Sequence, residues 1–334
     1  MKSKKNKPIE SILVISLSCI GDVLLTTPVI GVLKDNFPSA QITVLAGKTS
    51  YPLLERHELV ARALIFDNRG AHRGSLGVVR LITELRRSRY DLVVDLRNTM
   101  IPYALRVRRR ITAHSTHLRQ RKLRGRHAID RHLDVLADHG ITVTRRDMIL
   151  SVPEDVSAKV DSLLTDAGLT SNNELIAIYP GAGSKYKEYP AEKLSTVVRA
   201  LAACGNRKFA VIGSEADAES AAQVTAAVPE AAVNFAGKID LLEVAALLKR
   251  CSLLISNDSG PMHIGAAVGT PVLALFGPTD ADRYRPRGEQ HVVIAIRKEC
   301  NPCKTPICEM DSCIGEIAPE IIIEEAEKML SKNF

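Results

Sequence analysis

The sequence predicts an α/β protein made of two doubly wound domains that face one another across a cleft. Three observations carry this. Short apolar runs rich in Val, Ile and Leu alternate with helical patterns along most of the chain. The runs are apolar throughout rather than alternating, which suits parallel strands covered on both faces. The alternation also restarts after a polar stretch, and 334 residues suffice for two domains of ordinary size.

In the first half, 12–17, 42–46, 63–66 and 91–96 read as strands. Leu76–Arg87 reads as an amphipathic helix, with Leu76, Val79, Arg80 and Thr83 on helical spacing. The turn-like residues 171–174 lie near the boundary, which falls between 155 and 173. In the second half the strands are 175–179, 209–212, 253–256 and 272–276, and helices fill 190–203, 216–228 and 241–249. Pro190 fits a first helical turn, where its missing N–H costs nothing. We divide the chain into domains 1–165 and 166–334 and allow the last helix to pack back on the first domain.

Composition narrows the function. The chain is 46% apolar and 25% charged, which allows a sizeable core and argues against disorder. It has no Trp, so a sugar cannot be gripped by a Trp face and recognition must rest on polar and charged groups. The net charge of +7 favours an anionic partner. Seven Cys in a long chain are not a secreted disulfide framework. The basic start and the apolar run at 12–17 imitate a signal peptide, but the run is short, Asp22 interrupts it and Pro28 follows. With no run of about 18 apolar residues, we expect a cytoplasmic protein, peripheral at most to the inner membrane.

Five segments could carry chemistry. In Ser16-Leu17-Ser18-Cys19-Ile20-Gly21-Asp22, a strand runs through a tight turn into a helix. The positive helix end favours an ionised Asp22, which can accept the proton of an attacking hydroxyl; the plainer alternative is a helix cap. In Asn257-Asp258-Ser259-Gly260-Pro261-Met262-His263, a polar turn opens a small-residue helix. Backbone N–H groups from Ser259 and Gly260, with the Ser259 hydroxyl and His263, suit a diphosphate without a metal. Tyr179-Pro180-Gly181-Ala182-Gly183-Ser184-Lys185-Tyr186-Lys187 offers close backbone approach at Gly181 and a lysine for a phosphate, yet matches neither a dinucleotide fingerprint nor a Walker loop.

The fourth segment, Arg106–Arg131, holds ten Lys and Arg and no acid before Asp130. It exceeds the net charge of the whole chain and suits a multiply phosphorylated acceptor, with Arg119, Arg121, Lys122 and Arg124 at its centre. No aromatic residue lies between Tyr103 and Arg131 to stack on bases, so nucleic acid is not expected. The fifth is Cys300-x2-Cys303-x4-Cys308-x4-Cys313. Its spacing permits zinc, but the longer gaps fit a loop of reduced thiols equally, and we assign no metal and no cofactor. Asp280-Ala281-Asp282 imitates a metal-holding Asp-x-Asp and reads as loop chemistry after a strand.

Taken together, Gly21-Asp22-Val23 with Thr27-Pro28, the block 257–263 and Phe276-Gly277-Pro278-Thr279-Asp280 resemble glycosyltransferase family 9, the lipopolysaccharide heptosyltransferases. The resemblance spans nearly the whole chain, and the four-Cys tail is similar to that of heptosyltransferase II-type members. It implies the GT-B architecture of two Rossmann-like domains, the first taking the acceptor and the second the nucleotide sugar. It further implies Asp22 as catalytic base, and Lys187, Asp258, Ser259, Gly260 and His263 at the donor diphosphate. Two departures stand out: Ser16 where members often carry Lys or Arg, and Tyr189 where Trp is common. Glu215 or Asp217, just after a strand, could take the ribose hydroxyls.

The expected reaction is inverting, metal-independent transfer of heptose from ADP-heptose to a phosphorylated lipopolysaccharide inner-core acceptor at the membrane surface. Three rival readings are kept: a family 9 transferase of another nucleotide sugar, a nucleotide-sugar 2-epimerase, and a non-catalytic binder of anionic lipid.

Overall fold

A computed structural model describes residues 7–17, 19–112, 125–170, 172–298, 300, 303 and 313–332. The chain divides into two compact units, Met1–Ser151 and Val152–Phe334.

The first unit contains β1 (Ser11–Ser16), α1 (Ile20–Asn36), β2 (Gln41–Gly47), β3 (Arg62–Phe66), α2 (Gly74–Arg87), β4 (Leu92–Asp95), β5 (Arg109–Thr112) and α3 (Ala128–Ala137). Its strands pair in parallel in the order β3-β2-β1-β4-β5. β1 is central and its residues Ile12 to Ile15 are wholly buried, as the uninterrupted apolar run required.

Helix α1 is apolar all round and buried through Leu33. Pro28 lies inside it rather than ending it. A proline cannot donate to the carbonyl four residues back, here Leu24. The Thr27 hydroxyl donates to that carbonyl instead, at 2.7 Å, so the helix continues.

Helix α2 begins two residues earlier than expected and presents a different face to the core. It buries Gly77, Leu81 and Leu85, leaving Leu76, Val79, Arg80 and Thr83 exposed. The spacing was real, but two apolar stripes compete on this helix. The one with Leu81 and Leu85 packs against Leu13, Ile15, Leu45 and Val93.

The second unit contains α4 (Glu154–Asp166), β6 (Glu174–Tyr179), α5 (Ala191–Ala202), β7 (Arg207–Val211), α6 (Ala218–Ala226), β8 (Ala232–Asn234), α7 (Leu241–Leu248), β9 (Leu253–Asn257), α8 (Gly260–Ala267), β10 (Val272–Phe276), β11 (Val292–Ala295) and α9 (Pro319–Ser331). The parallel order is β11-β10-β9-β6-β7-β8. Counted from β6 as strand one, this is the 3-2-1-4-5-6 order of a dinucleotide-binding sheet.

The units part between Ser151 and Val152, about one helix before the division expected at 165/166. Residues 142–151 strap back over the first unit. Thr142 bonds Asn36, Arg145 pairs bidentately with Asp35 at 2.7–2.8 Å, and the Ile149 N–H reaches Thr27. Helix α4 belongs to the second unit, where Asp161 pairs with Arg250 at 2.7 Å and Lys159 with Glu243. Helix α9 packs on the second unit. Ile322, Ala326 and Met329 enter its core, and Glu327 pairs with Arg207 at 2.6–2.7 Å. Pro190 stands at the N-cap of α5, one residue before the helix proper.

Among the described residues, three strands escaped the sequence reading: β5, β8 and β11. All three are short sheet edges; β5 and β8 mix polar and apolar residues, and β11 is a half-buried run of only four apolar residues. Among the described residues, no helix is long and apolar enough to cross a membrane.

Candidate active site

In open α/β sheets, ligands collect outside the carboxyl ends of the strands where the strand order reverses. In the first unit that point lies between β1 and β4. Asp22 occupies the first turn of α1, a 17-residue helix whose N-terminus carries partial positive charge. The N-cap position is Cys19, which makes no side-chain cap bond. Asp22 is partly exposed, and its Oδ2 pairs with Arg97 Nη1 at 3.4 Å.

Arg97 was not anticipated. It comes from the loop after β4, which Asp95 organises. The Asp95 carboxylate is fully buried and accepts from the Arg97 N–H (2.8 Å), the Thr99 N–H (2.6 Å) and the Thr99 hydroxyl (2.9 Å). Burial raises its pKa above the ordinary carboxylate value despite these bonds. Between them Asn98 adopts φ +55°, the one left-handed non-glycine among the described residues. Asp-x-x-Asn-Thr directly after a buried strand was the available signal. Ser16, where a cation was expected by resemblance, is buried against the Thr26 hydroxyl at 2.8 Å.

In the second unit the switch point lies between β6 and β9, and four loops meet there. Buried Asn257 ties two of them together. Its amide donates to the carbonyls of Pro180 (2.9 Å) and Gly181 (3.0 Å), and its oxygen accepts from the Tyr189 N–H (3.2 Å). Asp258 ties three. It accepts from Lys187 Nζ at 2.8 Å and from the Thr279 hydroxyl at 2.7 Å, joining the loops after β6, β9 and β10. A buried carboxylate with two such donors holds a lysine and a hydroxyl in place. Neither Thr279 nor Asn257 had been given a role.

Ser259 is the N-cap of α8 by position, but its side chain does not cap the helix. Its hydroxyl donates back to the Asn257 carbonyl at 3.0 Å. The first-turn amides after Gly260 are thus not satisfied by their own N-cap side chain, the condition for an anion to take that place. His263 lies buried in the second turn of the same helix.

Gly181 serves packing. A methyl group there would overlap the carboxylate of Asp217. Asp217 in turn is consumed by the turn after β7, accepting from the Ser214 N–H and hydroxyl at 2.7 Å and from the Tyr179 hydroxyl at 3.4 Å. Of the two carboxylates considered for ribose, only Glu215 is exposed. Asp280 caps the single turn Ala281–Tyr284 by accepting from the Arg283 N–H, so the Asp-x-Asp imitation is loop chemistry.

Arg119, Arg121, Lys122 and Arg124 lie outside the described residues. Several flanking arginines are structural. Arg108 bonds the Lys7 and Pro8 carbonyls and Asp91, Arg110 the Pro102 and Leu105 carbonyls, and Arg126 pairs with Asp134. Cys303 and Cys313 are half-buried thiols beside the β10 loop: the Cys303 N–H donates to the Pro278 carbonyl at 2.8 Å. Cys308 lies outside the described residues.

The comparisons agree with this frame. The glycosyltransferase family 9 (heptosyltransferase) model matches residues 78–314. The chain is 31% identical to lipopolysaccharide heptosyltransferase 3 of Escherichia coli K12, covering 94% of this chain and 96% of that one. It is 27% identical to lipooligosaccharide heptosyltransferase 2 of Haemophilus influenzae, covering 96% and 100%. Among solved structures, a family 9 glycosyltransferase from Veillonella parvula superposes with a TM-score of 0.86 at 26% identity, covering 99% and 100%. E. coli ADP-heptose lps heptosyltransferase II shares the fold, with a TM-score of 0.76 at 23% identity over 96% and 99% of the two chains. With its two parallel sheets, their switch-point loops and these matches along almost its full length, the chain belongs to glycosyltransferase family 9, the heptosyltransferases, and is a transferase enzyme.

Proposed function

We propose that this transferase moves a heptose from ADP-heptose onto a phosphorylated inner-core acceptor of lipopolysaccharide, with inversion and without a metal. The observation that carries the reading is the Asp258 junction. It holds Lys187 and Thr279 beside the α8 N-terminus, whose own cap residue faces away. A helix end, a lysine and a hydroxyl suit a diphosphate leaving group, because fixed dipoles and a cation stabilise charge as it develops. Glu215 takes the ribose hydroxyls, His263 adds a donor to the anion, and Asp258 acts through its two partners.

In the first unit, Asp22 accepts the proton of the acceptor hydroxyl as that oxygen attacks the anomeric carbon. The C–O bond to the diphosphate breaks, and ADP leaves with the electron pair. Arg97 fixes one carboxylate oxygen of Asp22 by its ion pair. Relatives named as lipopolysaccharide heptosyltransferases support the sugar and the acceptor class. The basic run with Arg119, Arg121, Lys122 and Arg124 is assigned to acceptor phosphates, and the membrane surface that displays the acceptor is the expected third partner.

The test is Asp22→Asn. Turnover should fall by about 10²–10⁴-fold, the range for loss of a general base, while ADP affinity stays unchanged. A variant that turns over like wild type removes Asp22 from the mechanism. Product from the donor alone, with no acceptor present, would point to an epimerase instead.

A further inference from the structure

The outer surface of one helical layer of the first unit is apolar and cationic at once. Helix α2 and the single turn Ile101–Ala104 cover the same side of the sheet. Leu81 and Leu85 of α2 share a core cluster with Ile101, Leu105 and Tyr90. The Arg86 guanidinium donates to the Ala104 carbonyl at 2.7–3.0 Å, so the two elements adjoin. Their outward residues include Leu76 (84% exposed), Val79 (59%), Met100 (72%) and Tyr103 (54%). A single exposed leucine needs no explanation. Four large apolar side chains on one layer are a surface that water disfavours.

The charge around them is predominantly positive. Residues 69–89 and 100–106 contain seven arginines and one acid, Glu84. All seven arginines are exposed, and Glu84 is paired with Arg62 at 3.5 Å. Along α2, Leu76 and Val79 are followed on the same helical face by Arg80, Thr83 and Arg87. A protein partner would present carboxylates singly. A bilayer of anionic lipids presents phosphates as a continuous sheet, with apolar chains just beneath. Arginines pair with phosphate in a planar fork while their stems lie along apolar surface.

We propose that this face of the first unit docks on an anionic lipid bilayer. Leu76 and Val79 enter the headgroup boundary, and Arg73, Arg80 and Arg87 engage lipid phosphates. The inference deepens the transferase reading, which needs a lipid-linked acceptor, by naming the surface that meets the membrane.

The test is sedimentation of the full chain with vesicles, with no donor or acceptor present, so that its outcome is separate from that of the transfer reaction. Phosphatidylglycerol–phosphatidylcholine vesicles should bind the protein, and phosphatidylcholine alone should not. Leu76→Asp with Val79→Asp should weaken binding at least ~10-fold, given two apolar groups removed from the interface. Arg73→Glu, Arg80→Glu and Arg87→Glu together should abolish it and its salt dependence. All five positions are exposed, and circular dichroism with ADP titration checks that the variants remain folded. Equal binding to neutral vesicles, or variants that bind like wild type, would overturn the proposal. So would a Leu76/Val79 variant that dissociates a self-associated form while still binding vesicles, since the face would then join two copies of the chain.

Discussion

Replacing Lys187 by Met separates its ion pair with Asp258 from the diphosphate contact proposed above. Lys187 Nζ lies 2.8 Å from Asp258 Oδ2; its side chain is 30% exposed and that of Asp258 7%. At an effective dielectric of about 20, that separation is worth about 6 kcal/mol of gross attraction. Most of it is offset by the desolvation of Asp258, which leaves a net loss of about 1.5–3 kcal/mol when a hydrogen bond to a charged group is cut. The variant should therefore unfold in urea with about 2 kcal/mol less stability, because Asp258 keeps the Thr279 hydroxyl as its one donor in the junction described above. If Lys187 also meets the diphosphate, ADP should bind about 10- to 100-fold more weakly in calorimetry. Asp258→Asn in the same chain removes the uncompensated buried charge. The double variant should recover most of the stability and none of the ADP affinity. Recovery of ADP affinity as well would refute the reasoning, since Lys187 would then act only through Asp258.

Three further outcomes are expected. Asp95→Asn puts an amide N–H where the carboxylate accepts from the N–H and hydroxyl donors of the loop, so the first unit should lose about 1–3 kcal/mol and turnover should fall as Arg97 is released; an unchanged melting temperature would show that the carboxylate does not hold the loop. Gly181→Ala forces a methyl into Asp217 and should cost about 1–3 kcal/mol in urea unfolding, whereas a neutral result would mean that the Ser214–Asp217 turn yields freely. Burial pushes the His291 pKa from 6.5 down to about 4, and its Nδ1 accepts from the Val272 N–H. The unfolded chain then takes up a proton that the folded chain refuses, so this group's contribution is full above pH about 6.5 and is lost as pH falls towards 4. His291→Gln should flatten the stability curve in that window, and identical curves would reject the assignment.

Sequence by itself decided what depends on neighbours along the chain. Short uninterrupted apolar runs bounded by turn residues suit strands covered on both faces, which made β1, β2, β4, β6, β9 and β10 legible and the two-domain α/β class with them. The turns that end in Asp22 and in Ser259-Gly260 were legible because a strand, a small polar turn and a helix follow within a few residues. Edge strands β5, β8 and β11 were not: β5 and β8 mix polar and apolar residues, and the apolar run of β11 is only four residues long. What only the tertiary structure decided are the meetings between segments distant along the chain. Leu76 and Val79 lost the core to Leu81 and Leu85 because two stripes on one helix are equal until a sheet chooses between them. Arg97 reaches Asp22 across 75 residues, Lys187 and Thr279 meet on Asp258 from opposite sides in sequence, and Gly181 is a glycine because Asp217 fills its space. Parallel pairing brings such pairs together through crossovers of many residues, and periodicity within a short window carries no information about them.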